Sequence, residues 1–388
     1  MMDKQNSKVF LLILLGMLSA FGPFVTDMYL PSLPSMTSYF NTNLSMVQLG
    51  LTTSMAGLAV GQLFFGPLSD KFGRRSPLLV AMLLFIASTV FCLYSTNIRE
   101  FIFFRLIQGI AGSGGIVISR SVATDKYSGK ELAAMLAVIG AINGIAPVAA
   151  PVLGGFLTSS VGWKGIFWVL FVLGLILLFC CFKFKESLPL TSRDTSGWTA
   201  LCKSFWTVLH NRKYVYYVFQ LAFAQGVLFS YISSSPFIIQ QHYGFSPFAF
   251  SICFAINAVM IGLGAALSVK FRHPENSTLA GCIGMVFLSL TEFIVMYYEC
   301  NFWIYEILLM ILLFSMGLTF TSSTTLAMDS ERKNAGTASA LLGAICFAFG
   351  GVVSPLVGLG NIMVTTGLLF VICSFSSLIC IRIEVRKS

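Results

Sequence analysis

Asp27, Arg105, Glu292 and Glu306 stand inside long apolar runs of this chain. A charge at the centre of a membrane span costs about 2.5–3.5 kcal/mol on insertion scales, so such residues call for a reason. A carboxylate there can take up and release a proton, since dehydration favours its neutral form. A guanidinium keeps its proton and sets the local field. Asp27 follows Lys8 by 19 residues, about 28 Å along a helix rising 1.5 Å per residue. Arg105 follows Glu100 by five residues, about 7–8 Å. The two reach similar depths if their helices are neighbours. A carboxylate beside a guanidinium keeps its charge, and one parted from it is pushed to protonate. The expected chemistry is proton exchange at Asp27, governed by Arg105. The plainer alternative makes Asp27 a wet cap at its helix end and Arg105 a tie between helices. Glu306 is a second candidate proton or cation site. Glu292 is expected toward the outer end of its run, wet or paired near an interface.

Helices must carry these groups. Hydrophobic residues make up 56% of 388 positions and charged residues 10%, against about 25% charged in a soluble domain. Twelve apolar runs fill the chain, at 9–32, 45–68, 77–96, 101–121, 132–158, 164–182, 214–239, 247–269, 277–298, 301–325, 336–358 and 361–381. Runs of roughly 20 residues match a bilayer core about 30 Å thick, and in lipid such runs must be helical. We number them spans 1 to 12. Lys4 and Lys8 precede the first without a small-residue cleavage site, so it is taken as a retained span.

The net charge of +9 is spread over short loops, which argues against a nucleic-acid surface. The loops 34–46, 97–100, 159–163, 240–246 and 359–360 hold Arg99 as their basic residue, with Lys164 at an edge. The other side holds Lys71, Arg74, Arg75, Lys126, Lys130, Lys183, Arg212, Lys213, Lys270 and Arg272 among others. Positive loops stay in the cytoplasm, which places both termini there. The ten cysteines are scattered with no CxxC, and His210, His242 and His273 are isolated. Neither a metal site nor a catalytic cluster is expected.

Residues 183–213 are polar and divide the chain into 1–182 and 214–388, with a short interfacial helix around Trp198–Leu209. Ser69-Asp70-Lys71-Phe72 after span 2 is echoed by Ser268-Val269-Lys270-Phe271 after span 8. This points to internal duplication, an arrangement that suits a transporter with its site between two halves.

Four motifs carry a family likeness. The loop Gly66-Pro67-Leu68-Ser69-Asp70-Lys71-Phe72-Gly73-Arg74-Arg75 resembles the signature loop of the major facilitator superfamily. Arg105-Leu106-Ile107-Gln108-Gly109 resembles its RxxQG motif. Pro147 to Gly155 resembles the antiporter motif, with Ala150 in place of its first glycine. Thr26-Asp27-Met28-Tyr29-Leu30-Pro31 resembles the bicyclomycin-resistance branch of the drug/proton antiporters. The resemblance implies an all-α membrane protein of twelve helices in two six-helix halves. It further implies proton-coupled export of drug-like amphiphiles by alternating access, in a monomer of a bacterial inner membrane.

The same resemblance implies a cytoplasmic gate at Asp70, Arg74 and Arg75, with a partner near the start of span 11. The matching acid is replaced by Val269 in the second half. Gly144, Pro147, Pro151, Gly154 and Gly155 make span 5 a candidate bending seam. Tyr29, Gln62, Gln108, Asn143, Gln220, Phe223, Gln225, Tyr231, Phe254 and Asn257 are candidate cavity residues, since amides in lipid turn inward. No cofactor is expected, and without GxxxxGK[ST] ATP is not the direct energy source. A nutrient symporter or uniporter of the same fold is the alternative, separable by substrate-dependent proton release. A membrane enzyme or a channel fits less well.

Overall fold

The computed structural model describes residues 6–193, 198–331 and 334–385. Within its helices some side chains, Asn143 among them, lie outside the described set. Twelve helices are long and apolar enough to cross a membrane: Lys8–Tyr39, Leu44–Phe72, Arg75–Tyr94, Ile98–Lys126, Val138–Val161, Trp163–Lys183, Arg212–His242, Pro247–Ser268, Pro274–Tyr297, Phe302–Ser330, Gly336–Leu356 and Ile362–Ile383. These are spans 1 to 12. No strand occurs among the described residues.

Short caps fix where several spans begin. Asn43 accepts from the Met46 amide at 3.0 Å, Asn97 from Glu100 at 3.0 Å, and Ser246 from Ala249 at 3.1 Å. Each satisfies one of the free amides at a helix start. Span 1 is broken. Its first helix ends at Asp27, and a 3-10 turn over Leu30–Ser32, opened by Pro31, leads into a second helix, Leu33–Tyr39. The expected end at residue 32 is therefore a break rather than a terminus. Proline supplies no amide and fixes its own φ, which interrupts the ladder there. Span 7 ends in a π turn over Ile238–His242, just after Pro236.

Packing repeats after six spans. Span 1 contacts 4 and 5, span 2 contacts 4, and span 3 contacts 4 and 6. Span 7 likewise contacts 10 and 11, span 8 contacts 10, and span 9 contacts 10 and 12. The halves meet where span 2 packs on 11 and span 5 on 8. Lipid offers no hydrophobic drive between helices, so close backbone approach must supply the attraction. Glycine permits it at matching places. A Cβ on Gly109 would strike the Ser54 carbonyl of span 2, and one on Gly317 would strike the Ile261 carbonyl of span 8.

The linker forms a helix over Trp198–His210. Phe205 and Val208 pack on span 7 and 11 residues, and Ser204 lies 2.9 Å from Thr337. Trp206 stays exposed.

Candidate functional site

A cavity of about 600 Å³ lies between the halves, lined from spans 1, 2, 4 and 5 on one side and 7, 8, 10 and 11 on the other. Most of its wall is apolar, including Met55, Leu228, Phe229, Phe254, Met316 and Phe347. Gln62, Gln225 and Tyr231 add hydrogen-bonding groups. Among the described lining residues, the charged ones are Asp27 and Arg120. The wall reaches Arg120 and Met328, near the ends of spans 4 and 10 that face the linker.

The opposite end is closed. Gln48 donates to the Ser233 carbonyl at 3.1 Å, Ser45 to Gly358 at 3.1 Å, and Gln240 to Pro31 at 3.0 Å. Each of these bonds joins the two halves. Gly155 of span 5 adds close packing against Ser251 of span 8.

Asp27 is 7% exposed and its carboxylate accepts from the Thr26 hydroxyl at 2.7 Å. Arg105 is fully buried. Its Nη2 donates to the Val25 carbonyl at 2.9 Å, its Nη1 bonds the Gln108 side chain, and its guanidinium lies 4.3 Å from the centre of the Tyr29 ring. The expected similar depth holds, since Val25 is two residues from Asp27. The expected pairing does not: among the described residues no ion pair joins Asp27 to Arg105. Positions two apart on a helix point about 200° apart. Tyr29 takes the side facing Arg105, and Asp27 faces the cavity. Carbonyls and an aromatic face replace the carboxylate as the compensation a buried guanidinium needs.

The other expected residues divide. Gln225, Phe254, Gly144 and Pro147 line the cavity. Asn257 lies behind the lining Tyr231 and Glu306 behind Asn257: Asn257 Nδ2 donates to Glu306 at 2.8 Å and to the Tyr231 hydroxyl at 3.2 Å. Tyr29 is buried beneath Arg105, and Gln108 donates to Thr89 at 2.7 Å, tying span 4 to span 3. Gln220 donates to Ser377 at 3.0 Å, between spans 7 and 12. Phe223 meets Phe349 edge-on at 4.8 Å. These four do not line the cavity, because each is spent on helix-to-helix contacts within one half. The Asn143 side chain lies outside the described residues.

Span 5 is one continuous helix, Gly129–Val161, through both prolines. Gly154 lets span 1 approach, since a Cβ there would strike the Met28 carbonyl. Pro151 and Gly155 lie outside the cavity wall, and Gly155 serves the approach of span 8.

At the linker end Arg74 pairs with Asp70 and, through Nε at 2.8 Å, with Asp125. Burial works against its charge, and the two carboxylates more than offset that, raising its pKa. Glu186 of the linker accepts from the Arg74 and Arg75 amides at 2.8 and 3.1 Å, and Arg75 donates to the Phe182 carbonyl at 2.8 Å. The described partners of Asp70, Arg74 and Arg75 thus belong to the first half and the linker. Among the described residues, none near the start of span 11 pairs with them, and Arg332 and Lys333 lie outside the described residues.

Two residues escaped the sequence reading. Arg120 is not among the expected cavity residues, yet it lines the cavity. Glu292, expected wet or paired near an interface, is 0% exposed, and neither carboxylate oxygen has a hydrogen-bond partner among the described residues. Its inward register was the available signal, but it needed the packing of span 9 to be read.

Set against known proteins, the chain matches the model of the Major Facilitator Superfamily over residues 12–355. It is 36% identical over 362 residues to YdgK of Bacillus subtilis (strain 168), an uncharacterized MFS-type transporter, covering 92% of this chain and 90% of that one. It is 27% identical over 364 residues to a bicyclomycin resistance protein homolog of Haemophilus influenzae, with the same 92% and 90% coverage. Its fold is similar to a crystal structure of a bacterial homolog to the human lysosomal transporter Spinster, inward-facing and unoccupied, at a TM-score of 0.78, 18% identity and 98% and 99% coverage. A D-xylose-proton symporter follows at a TM-score of 0.73, 15% identity and 96% and 97% coverage.

Proposed function

The chain belongs to the major facilitator superfamily, and from that premise we propose that this multi-pass membrane transporter exports drug-like amphiphiles in exchange for protons. The observation that carries the reading is Asp27: an acid with no paired cation among the described residues, in the wall of a mostly apolar cavity of about 600 Å³. Such a wall suits bulky, partly lipophilic molecules. A carboxyl there can alternate between protonated and ionised forms as water and solute exchange around it. The bicyclomycin-resistance homolog of Haemophilus influenzae supports drug export by its name. Basic loops put the linker and both termini in the cytoplasm of a bacterial inner membrane. On that orientation the cavity opens inward and the bonded end faces out. Asp27 carries the exchanged proton, Glu306 is the second acid, and Arg105 is a positioning residue. Alternating access then requires the Asp70–Arg74 end to close as the far end parts.

The test is efflux of a panel of antibiotics and dyes from vesicles driven by an imposed proton gradient. Wild-type protein should export at least some, releasing protons as it does. Asp27→Asn should still bind those compounds but lose gradient-driven export. Unchanged gradient dependence in Asp27→Asn would remove the proton role from that residue.

A further inference from the structure

Behind the cavity wall of the second half lies a set of buried oxygens with no hydrogen-bond partner among the described residues. Both carboxylate oxygens of Glu292 on span 9 lack a partner, as does Oε2 of Glu306 on span 10. Asn257 Oδ1 and the Tyr305 hydroxyl are in the same condition. Glu306 Oε1 is held by the Asn257 amide, which also reaches Tyr231. Tyr231 faces the cavity, its ring stacked on Phe254 at 5.3 Å. A continuous polar path therefore runs from the cavity through Tyr231 and Asn257 to Glu306. Glu292 lies close enough to interact electrostatically with Glu306, and Tyr305 with both.

Tyr231 and Tyr243 face this region from span 7 and its end, Cys253 from span 8, and Tyr305 from span 10. Cys300 and Glu299 lie beyond Tyr243. Span 12, packed on span 9, contributes no described carboxyl or histidine, and its Arg382 sits at the linker end. Among the described residues no lysine, arginine or histidine forms an ion pair with either acid. Two bare carboxylates cannot share a dehydrated pocket without a counter-charge.

We propose that Glu306 and Glu292 form a coupled, proton-holding carboxyl pair in the second half, separate from Asp27 and loaded from the cavity through Tyr231 and Asn257. The inference rests on the proton-driven reading above and gives it a second ion site. The step is a bare proton transfer. A proton from cavity water converts one carboxylate to a carboxylic acid, and it leaves by the same path. Glu306 is the exchanging member, and Glu292 is the positioning member that sets how readily Glu306 gives the proton up.

Infrared difference spectra of the full chain in lipid nanodiscs, titrated with pH, read protonated carboxyls directly and need no transport. The two members of a coupled carboxyl pair titrate in two steps that belong to the pair. Glu292→Gln and Glu306→Gln should each delete one step and move the survivor by about one pH unit or more. The double variant should remove both and leave the Asp27 step, which Asp27→Asn alone removes. Glu292→Asp should keep two steps, and it serves where the glutamine variant does not fold. A surviving step that stays in place in both single variants would overturn the pair. Loss of the carboxyl signal on replacing K⁺ by Na⁺ at fixed pH would overturn it too, in favour of a metal site. Coupled steps with no proton-driven efflux would sink the export reading alone. Proton-driven efflux with uncoupled acids would sink the pair alone.

Discussion

Arg105 donates to the carbonyl of Val25 at 2.9 Å, two residues before Asp27. The cation therefore grips the helix that carries the acid, and not the acid itself. On the proposed proton-exchange reading, Arg105 acts by placing span 1.

Arg105→Ala should lower the melting temperature in detergent, because it strands the Gln108 side chain and two carbonyls inside the first half. Unpaired buried groups cost about 1–3 kcal/mol. Efflux should fall with it. The pH profile of the remaining transport should keep its shape, since among the described residues Arg105 does not pair with Asp27. A profile shifted along with the loss would show direct electrostatic control.

Glycines of two kinds should respond in opposite ways. Gly109→Val drives a side chain into the Ser54 carbonyl, where backbone cannot yield. Destabilisation of about 3 kcal/mol, the upper end for overpacking, is expected in thermal unfolding. Gly144 faces open space. Gly144→Ala should leave stability equal or raise it by up to about 1 kcal/mol, the helix preference of alanine. If span 5 bends during the cycle, that same variant should slow efflux while melting no earlier. Normal efflux from Gly144→Ala would leave the bending role to the prolines.

Arg120 is the cation of the described cavity wall. Arg120→Gln should raise uptake into the transport cycle for cationic dyes and lower it for anionic ones. A unit charge at about 4 Å in water is worth about 1 kcal/mol, so several-fold changes in KM are expected. Equal changes for both dye classes would reduce Arg120 to a packing role.

Asp125→Asn should destabilise the linker end. Arg74 and Asp125 are both largely buried, at 7% and 12% side-chain exposure. Asp70 remains as a partner, which limits the loss to below the about 3–5 kcal/mol of a fully broken buried pair. Lys8→Ala offers the contrast. Lys8 and Glu131 are exposed at 62% and 64%, and such pairs contribute little. Its melting temperature should match that of the unmodified protein.

The twelve spans were legible because lipid leaves a chain few choices, and hydropathy records them. The depth of Asp27 and Arg105 was legible from residue counts along a helix. Their mutual orientation was not, since it turns on the break at Pro31 and on which neighbour Tyr29 covers. Gln108 and Gln220 show the limit of the rule that amides turn inward. Inward holds for both, yet a bundle has several interiors, and spacing along one helix does not say which of them faces the cavity. Glu292 failed for the converse reason: an acid near the outer end of its run was expected to meet water or a partner, but the packing of span 9 on spans 10 and 12 gives it a buried side.

The bonds from Gln48, Ser45 and Gln240 that hold the far end together are all neutral, each from a side chain to a main-chain carbonyl. Ionic strength has nothing there to screen, whereas the Arg74 cluster at the other end is made of charges. Each far-side bond contributes only about 0.5–1.5 kcal/mol. A barrier made of so few neutral bonds is shallow, and salt leaves it unchanged.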